Sequence, residues 1–205
     1  MRVKNIFFTI TVLMLSATAS FAQSGSLTNL FAGSWEIAFP VNKDFLTKTS
    51  LSGGRLEYRK FIKPNVSVGL AASWNSFDQY FNTATYQKSD GTGAVTTDMV
   101  RQIYTVPITA TIHYYLKGGK HVLPYVGIGI GTQYSEQNAY FNVYELTANN
   151  WGFVVRPEIG VLMPFNRYWS VLLAGGYNVS TNKNDEFKID NLKQWTLNVG
   201  LACKF

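Results

Sequence analysis

Trp195-Thr196-Leu197-Asn198-Val199-Gly200-Leu201-Ala202-Cys203-Lys204-Phe205 alternates without a break between apolar and small or polar residues. Trp195, Leu197, Val199, Leu201, Cys203 and Phe205 form one set; Thr196, Asn198, Gly200, Ala202 and Lys204 form the other. Successive side chains of a strand point to opposite faces, so this stretch reads as a β-strand with one wholly apolar face.

The same period of two recurs upstream. Tyr104, Val106, Ile108, Ala110, Ile112 and Tyr114 alternate with Ile103, Thr105, Pro107, Thr109, Thr111 and His113. Comparable patterns run through Trp35 to Phe39, Val66 to Asn75, Val126 to Gly131, Gly152 to Met163 and Trp169 to Asn178. The segment Arg55 to Phe61 is the weakest, because Lys60 interrupts its apolar face. The reading is about eight strands. Short turns are expected at Lys63 to Asn65, Lys117 to Lys120 and Pro164 to Arg167, and long polar loops at Asn42 to Gly54, Asp78 to Met99, Tyr134 to Asn150 and Val179 to Asn191. Such alternation of short and long connections suits an up-and-down antiparallel barrel, whose short turns lie in the periplasm when it spans an outer membrane. Pro107 and Pro157 deprive a strand of a ladder donor, so bulges are expected at both.

The first residues indicate export. Arg2 and Lys4 precede a short apolar run from Ile6 to Leu15, and Ser20 and Ala22 stand before Gln23. This is the pattern of a secretory signal peptide, residues 1–22, leaving residues 23–205 as one barrel domain. Without Arg2 and Lys4, 16 Lys and Arg face 12 Asp and Glu, a net of +4. The cations are scattered, so no nucleic-acid footprint is expected. Cys203 is the only cysteine and rules out an intrachain disulfide. No run of about eighteen apolar residues follows Ala22, which excludes a helical span.

Alternation alone does not say which face meets lipid, and Gly33-Ser34-Trp35 is similar to the opening signature of the soluble lipocalin barrels. Three features oppose that alternative. Trp35, Trp74, Tyr104, Tyr114, Trp169, Tyr177, Trp195 and Phe205 sit toward the ends of the apolar face, as interfacial girdles require. The opposite face is dominated by Gly, Ser, Thr and Ala, which fit a narrow lumen. The last strand runs to Phe205 with no following helix of the lipocalin kind. The apolar faces carry no charge except Lys60, beside a turn from which it can reach headgroups.

Asn198-x-Gly200-x-x-Cys203-x-Phe205 resembles the C-terminal assembly signal of outer-membrane barrels, with Cys203 where a larger apolar residue is usual. Together with the strand order, it makes residues 23–205 similar to the small outer-membrane β-barrel family that includes the OmpA membrane domain, OmpX and short porin-family proteins. The resemblance implies a bacterial outer-membrane location. It also implies outer-membrane lipid, lipopolysaccharide and the barrel assembly machinery as partners, no cofactor, and a non-enzymatic structural or surface-binding role through extended extracellular loops. A narrow ion pore and a lipid A-modifying enzyme are the competing functions. No second, periplasmic domain is expected.

Candidate lumen ion pairs come from charged residues on the non-apolar faces: Glu36, Glu57, Arg156, Glu158 and Lys204. Buried charges need partners. Glu57 is the expected partner of Arg156 across the barrel, with Glu158 or Glu36 as substitutes; Arg55 or Arg59 belongs to the same set, and Glu36 is expected beside Lys204. His113 points inward by period, and His121 lies at a turn, but no serine or carboxylate stands at a local spacing that orients either. Cys203 is expected to face lipid as an inert thiol. Asn182, Asn184, Asp185 and Glu186 lack the spacing of a calcium loop and read as a solvated loop. Gly127, Gly129 and Gly131 alternate with Val126, Ile128 and Ile130, so they are strand positions and not a nucleotide loop.

Overall fold

The computed structural model describes residues 29–41, 46–87, 93–116, 122–141, 144–184 and 189–205. The expected signal peptide lies outside them, as do His121, Asp185 and Glu186. Eight antiparallel strands close into a barrel in sequence order: β1 (Asn29–Pro40), β2 (Ser50–Lys63), β3 (Val66–Gln87), β4 (Ala94–Tyr115), β5 (Leu123–Phe141), β6 (Tyr144–Pro164), β7 (Trp169–Ser180) and β8 (Leu192–Lys204). β1 pairs with both β2 and β8, so no edge is left in the closed part of the wall. Hydrocarbon cannot satisfy an unpaired backbone group, so closure is what a membrane demands of strands.

The period of two sorts the side chains as the alternation requires. Leu56, Leu70, Ile108, Ile112, Ile130, Ile159, Leu197 and Leu201 are exposed on the outside, while Glu36, Glu57, Arg59, Asn75, His113, Arg156 and Asn198 are buried inside. A water-soluble protein is arranged the other way. Trp35, Trp74, Tyr104 and Trp195 ring one end of the outer surface, and Tyr114, Trp169 and Phe205 the other. Tyr177 is half-buried against Trp195, with ring centroids 4.4 Å apart.

Both chain ends of the barrel and the β2–β3 and β6–β7 turns share one end, here the turn end; the expected turn at Lys117 to Lys120 lies outside the described residues. There Asn29 and Phe205 exchange backbone hydrogen bonds of 3.0 Å, and Asn166 accepts from the backbone amides of Tyr168 and Trp169 to close the β6–β7 turn.

The opposite, loop end departs from expectation. Most of Asp78 to Met99 and of Tyr134 to Asn150 is strand, because β3 and β4 each run 22 residues, β5 runs 19 and β6 runs 21, against 12 to 14 for the others. Four strands therefore rise beyond the rim as a sheet. In the other two connections, β2 already starts at Ser50, and Asn184 and Ile189 form a backbone bridge within the β7–β8 connection.

The expected bulges at Pro107 and Pro157 are also absent. Pro107 pairs with Gln133 and Pro157 with Ile128 in unbroken register on one side. On the other side the ladder skips two pairs and resumes without a shift, from Ala72↔Ile108 to Asn75↔Thr105 and from Val155↔Val179 to Glu158↔Gly176. A residue in an antiparallel strand directs its N–H to one neighbour only, so a proline removes a bond on that side and leaves the other ladder intact. The register shifts fall elsewhere, between Glu36 and Ala38, Phe61 and Lys63, and Phe81 and Ala84.

Candidate functional site

The lumen is filled in layers. Nearest the turns, Leu30, Ala32, Tyr115, Tyr125, Leu162, Leu172, Ala174 and Ala202 form an apolar plug, with Phe61 and Leu123 packed against it. Tyr125 reaches the axis because Gly160 faces it: a Cβ there would lie 2.5 Å from the tyrosine ring. Gly127 makes the same allowance for the His113 ring, at 2.4 Å.

Above the plug lies an ionic layer. Arg59 Nη2 meets Glu57 Oε2 at 2.8 Å and Glu158 Oε1 at 3.3 Å, while its guanidinium donates to the Tyr115 and Tyr125 hydroxyls at 3.1 and 3.0 Å. Arg55 Nη2 bridges Glu158 at 3.2 Å and Glu57 at 3.5 Å. Arg156 Nη2 pairs with Glu36 Oε2 at 2.7 Å, and its Nε approaches Glu158 at 3.5 Å. Asn75 donates to Glu36 at 2.7 Å and Thr111 to Glu57 at 3.3 Å. With its amide oriented by the network, Asn198 donates to Glu36 at 3.0 Å and accepts from Arg156 at 2.9 Å. Three guanidinium groups thus answer three carboxylates, and every one of these charged side chains is at most 5% exposed. Charges this deep in a low-dielectric interior persist only when paired.

Toward the loop end the lining is partly neutral and partly apolar. Gln133 donates to Ser180 and Gln137 to Ser135. Asn182 donates to the Gln133 carbonyl at 3.1 Å and to Asn150 Oδ1 at 2.7 Å, and Asn184 to Gln137 at 2.7 Å. Asn182 and Asn184 are therefore buried in the barrel mouth, which corrects the solvated-loop reading for these two residues. Amide side chains flanking a strand end found partners inside the barrel instead of water. Beside them, with Ile103 opposite Gln137 and Ile189 bridged to Asn184, Ala38, Leu46, Phe77, Ile103 and Ile189 form a second apolar cluster, joined by Leu192. Pro40, Leu46, Phe77, Ile103 and Leu192 help line a cavity of about 20 Å³, room for little more than one water molecule.

Of the sequence candidates, the structure brings Glu36, Glu57, Arg156 and Glu158 into one layer and leaves Lys204 out of it. Lys204 stands opposite Leu30 at the turn end, whereas Glu36 stands opposite Asn198. The expected Glu36–Lys204 proximity fails because the register that sets Glu36 opposite Asn198 puts Lys204 six residues farther along β8. Arg156 takes Glu36, and Glu57 takes Arg55 and Arg59. Asn198, read from the sequence as part of an assembly motif, is a lumen ligand as well. Tyr115, Tyr125 and Asn75 were not anticipated; the inward parity of both tyrosines, and a glycine across from Tyr125, are the signals that point to them.

Glu57, His113 and Glu158 bring one ligand atom each within 4.8 Å of one another. The two carboxylates already hold Arg55 and Arg59, so a cation entering there would meet two guanidinium groups; the donor set does not fit a metal. His113 Nε2 faces Glu158 and Glu57 at 3.2 and 3.3 Å, with Tyr125 edge-on to its ring.

A family model described as an outer membrane protein beta-barrel domain matches residues 8–205. A search of curated proteins finds no match to the sequence. Among solved structures, the barrel is similar to Neisserial surface protein A, with a TM-score of 0.59 at 13% identity, covering 89% of this chain and 100% of that one. It is similar also to a major outer membrane protein from Thermus thermophilus, with a TM-score of 0.55 at 12% identity, covering 88% of this chain and 100% of that one. At these identities the likeness is one of fold.

Proposed function

Because this chain belongs to the outer membrane protein β-barrel family, we propose that it is a non-enzymatic scaffold, closed to solutes, that carries a raised sheet for binding at the cell surface. The observation that carries this reading is the filled lumen. A balanced ionic layer lies between an apolar plug and an apolar cluster at the mouth. Eight strands enclose an interior only as wide as its side chains, and the described residues fill it from the turn-end plug through the ionic layer to the cluster at the mouth. His113 is held by carboxylates inside the barrel and does not face a hydroxyl nucleophile toward lipid, which favours structure over lipid chemistry.

Beyond the aromatic ring, β3 to β6 project Tyr80, Tyr140 and Leu146 on strands that no lipid surrounds. Binding functions concentrate on such projections from a rigid scaffold. Outer-membrane lipid surrounds the belt in this reading, and lipopolysaccharide and a surface ligand are the partners at the upper end.

Planar-bilayer recording tests closure. The folded barrel is expected to give no sustained current, and Arg156→Ala to add at most rare brief events. Steady wild-type conductance whose ion selectivity changes in Arg156→Ala would establish the pore instead.

A further inference from the structure

Charge is sorted between the two ends of the barrel. Among the described residues, Asp78, Asp98, Glu136, Glu145 and Asp190 share the loop end with Lys48, Arg101, Lys183 and Lys193. The turn end carries Lys60, Lys63, Arg167 and Lys204 and no acidic side chain among the described residues. The remaining described carboxylates, Glu36, Glu57 and Glu158, are consumed by arginines in the lumen.

These cations lie on consecutive parts of the wall. Arg167 belongs to the β6–β7 turn, which is tied to β8 by the Lys204 amide donating to the Tyr168 carbonyl at 2.7 Å. Lys204 stands beside Leu30 of β1, and Lys60 of β2 stands beside Asn29. Lys63 follows at the β2–β3 turn. With strands about 4.8 Å apart, the backbones of Lys204 and Lys60 are roughly 10 Å apart, but Lys204 shares the inward face of Leu30 and is half-buried, whereas Lys60 is exposed on the outer face. Their surroundings are apolar and exposed: Ile62, Phe165, Tyr168 and Phe205 project at the same level, with Arg167 over the Tyr168 ring at 5.8 Å.

We propose that the exposed cations of this end, Lys60, Lys63 and Arg167, bind the phosphate headgroups of anionic phospholipid in the periplasmic leaflet. Exposed apolar and aromatic residues interleaved with lysine and arginine at a strand end match the acyl–headgroup boundary, where rings insert and long cationic side chains reach phosphate. No acidic side chain among the described residues of this end competes with such a ligand for these cations. Outer-leaflet phosphate is the poorer match, since the loop end offsets its cations with acids. The inference rests on the membrane orientation above, and its test is separate from that of the closed lumen.

The experiment is native mass spectrometry of the folded, detergent-released barrel titrated with phosphatidylglycerol or phosphatidylcholine. The wild type is expected to bind phosphatidylglycerol preferentially, and the preference to fall as salt rises. Each cation near an anionic surface contributes about a fivefold factor, so Lys60→Gln/Lys63→Gln/Arg167→Gln should lose on the order of a hundredfold in relative affinity. Lys48→Gln/Lys183→Gln at the other end should leave the preference unchanged. Heat-modifiable gel mobility checks that each variant is folded; should the triple variant not fold, the wild-type salt series decides. Equal wild-type binding of the two lipids, a salt-independent preference, an unchanged folded triple variant, or an equal loss in the loop-end control would each overturn the proposal.

Discussion

Arg156 and Glu36 show how far a single residue's role can be read from the chain. Parity along β1 and β6 sends both side chains inward, and that much is visible in the sequence. Their meeting at 2.7 Å depends on the stagger of strands closed into a cylinder, which no local pattern encodes. Removing one member of a buried pair strands the other charge, at a cost of about 3–5 kcal/mol. Arg156→Ala should therefore lower the urea midpoint of the lipid-reconstituted barrel, and Arg156→Ala/Glu36→Ala should recover part of the loss. In double-mutant cycles the coupling of Arg156 to Glu36 should exceed its coupling to Glu57; equal or larger coupling to Glu57 would contradict the pairing seen here. The glycines make a second residue-scale case. Gly160→Ala puts a methyl into the Tyr125 ring and should destabilise by about 1–3 kcal/mol, whereas at Gly175 the nearest atom lies 4.0 Å away and alanine should be tolerated. Similar losses at both glycines, measured by the same unfolding midpoint, would refute the close-approach argument.

At the scale of elements, the strands within the membrane were legible and their continuations were not. Inside the bilayer one face meets hydrocarbon and the other a polar lumen, so the period of two is strong. Above the rim no face meets hydrocarbon, although Met99 and Thr97 of β4 stay buried, and Gln79, Asn82, Thr83, Thr85 and Gln87 read as loop although they sit in or beside a paired ladder. Pro107 misled in the opposite direction, since a proline rule drawn from whole sheets does not say which neighbour loses its bond. The raised β3–β4 hairpin pairs with itself beyond the irregularity between Phe81 and Ala84. Replacing residues 82–98 by an Asn-Gly turn should then leave the barrel folded, with heat-modifiable mobility retained and an unfolding midpoint within about 1 kcal/mol of wild type. Loss of the folded band on excision would mean that the raised sheet holds the wall together.

For the molecule as a whole, one property underlies the account: apolar side chains outside, charges inside, and a wall with no open edge between them. That inversion turns the outward residues of eight strands into a lipid belt and confines three arginines and three glutamates to the lumen. A one-residue slip anywhere would exchange the two faces. The most direct measurement is cysteine accessibility at Leu201 and Ala202, adjacent on β8 at 49% and 0% exposure, in a Cys203→Ser background in native membranes. A lipid-phase maleimide should label Leu201→Cys and spare Ala202→Cys. Labelling of Ala202→Cys with Leu201→Cys protected would place the apolar face indoors and contradict the barrel as described.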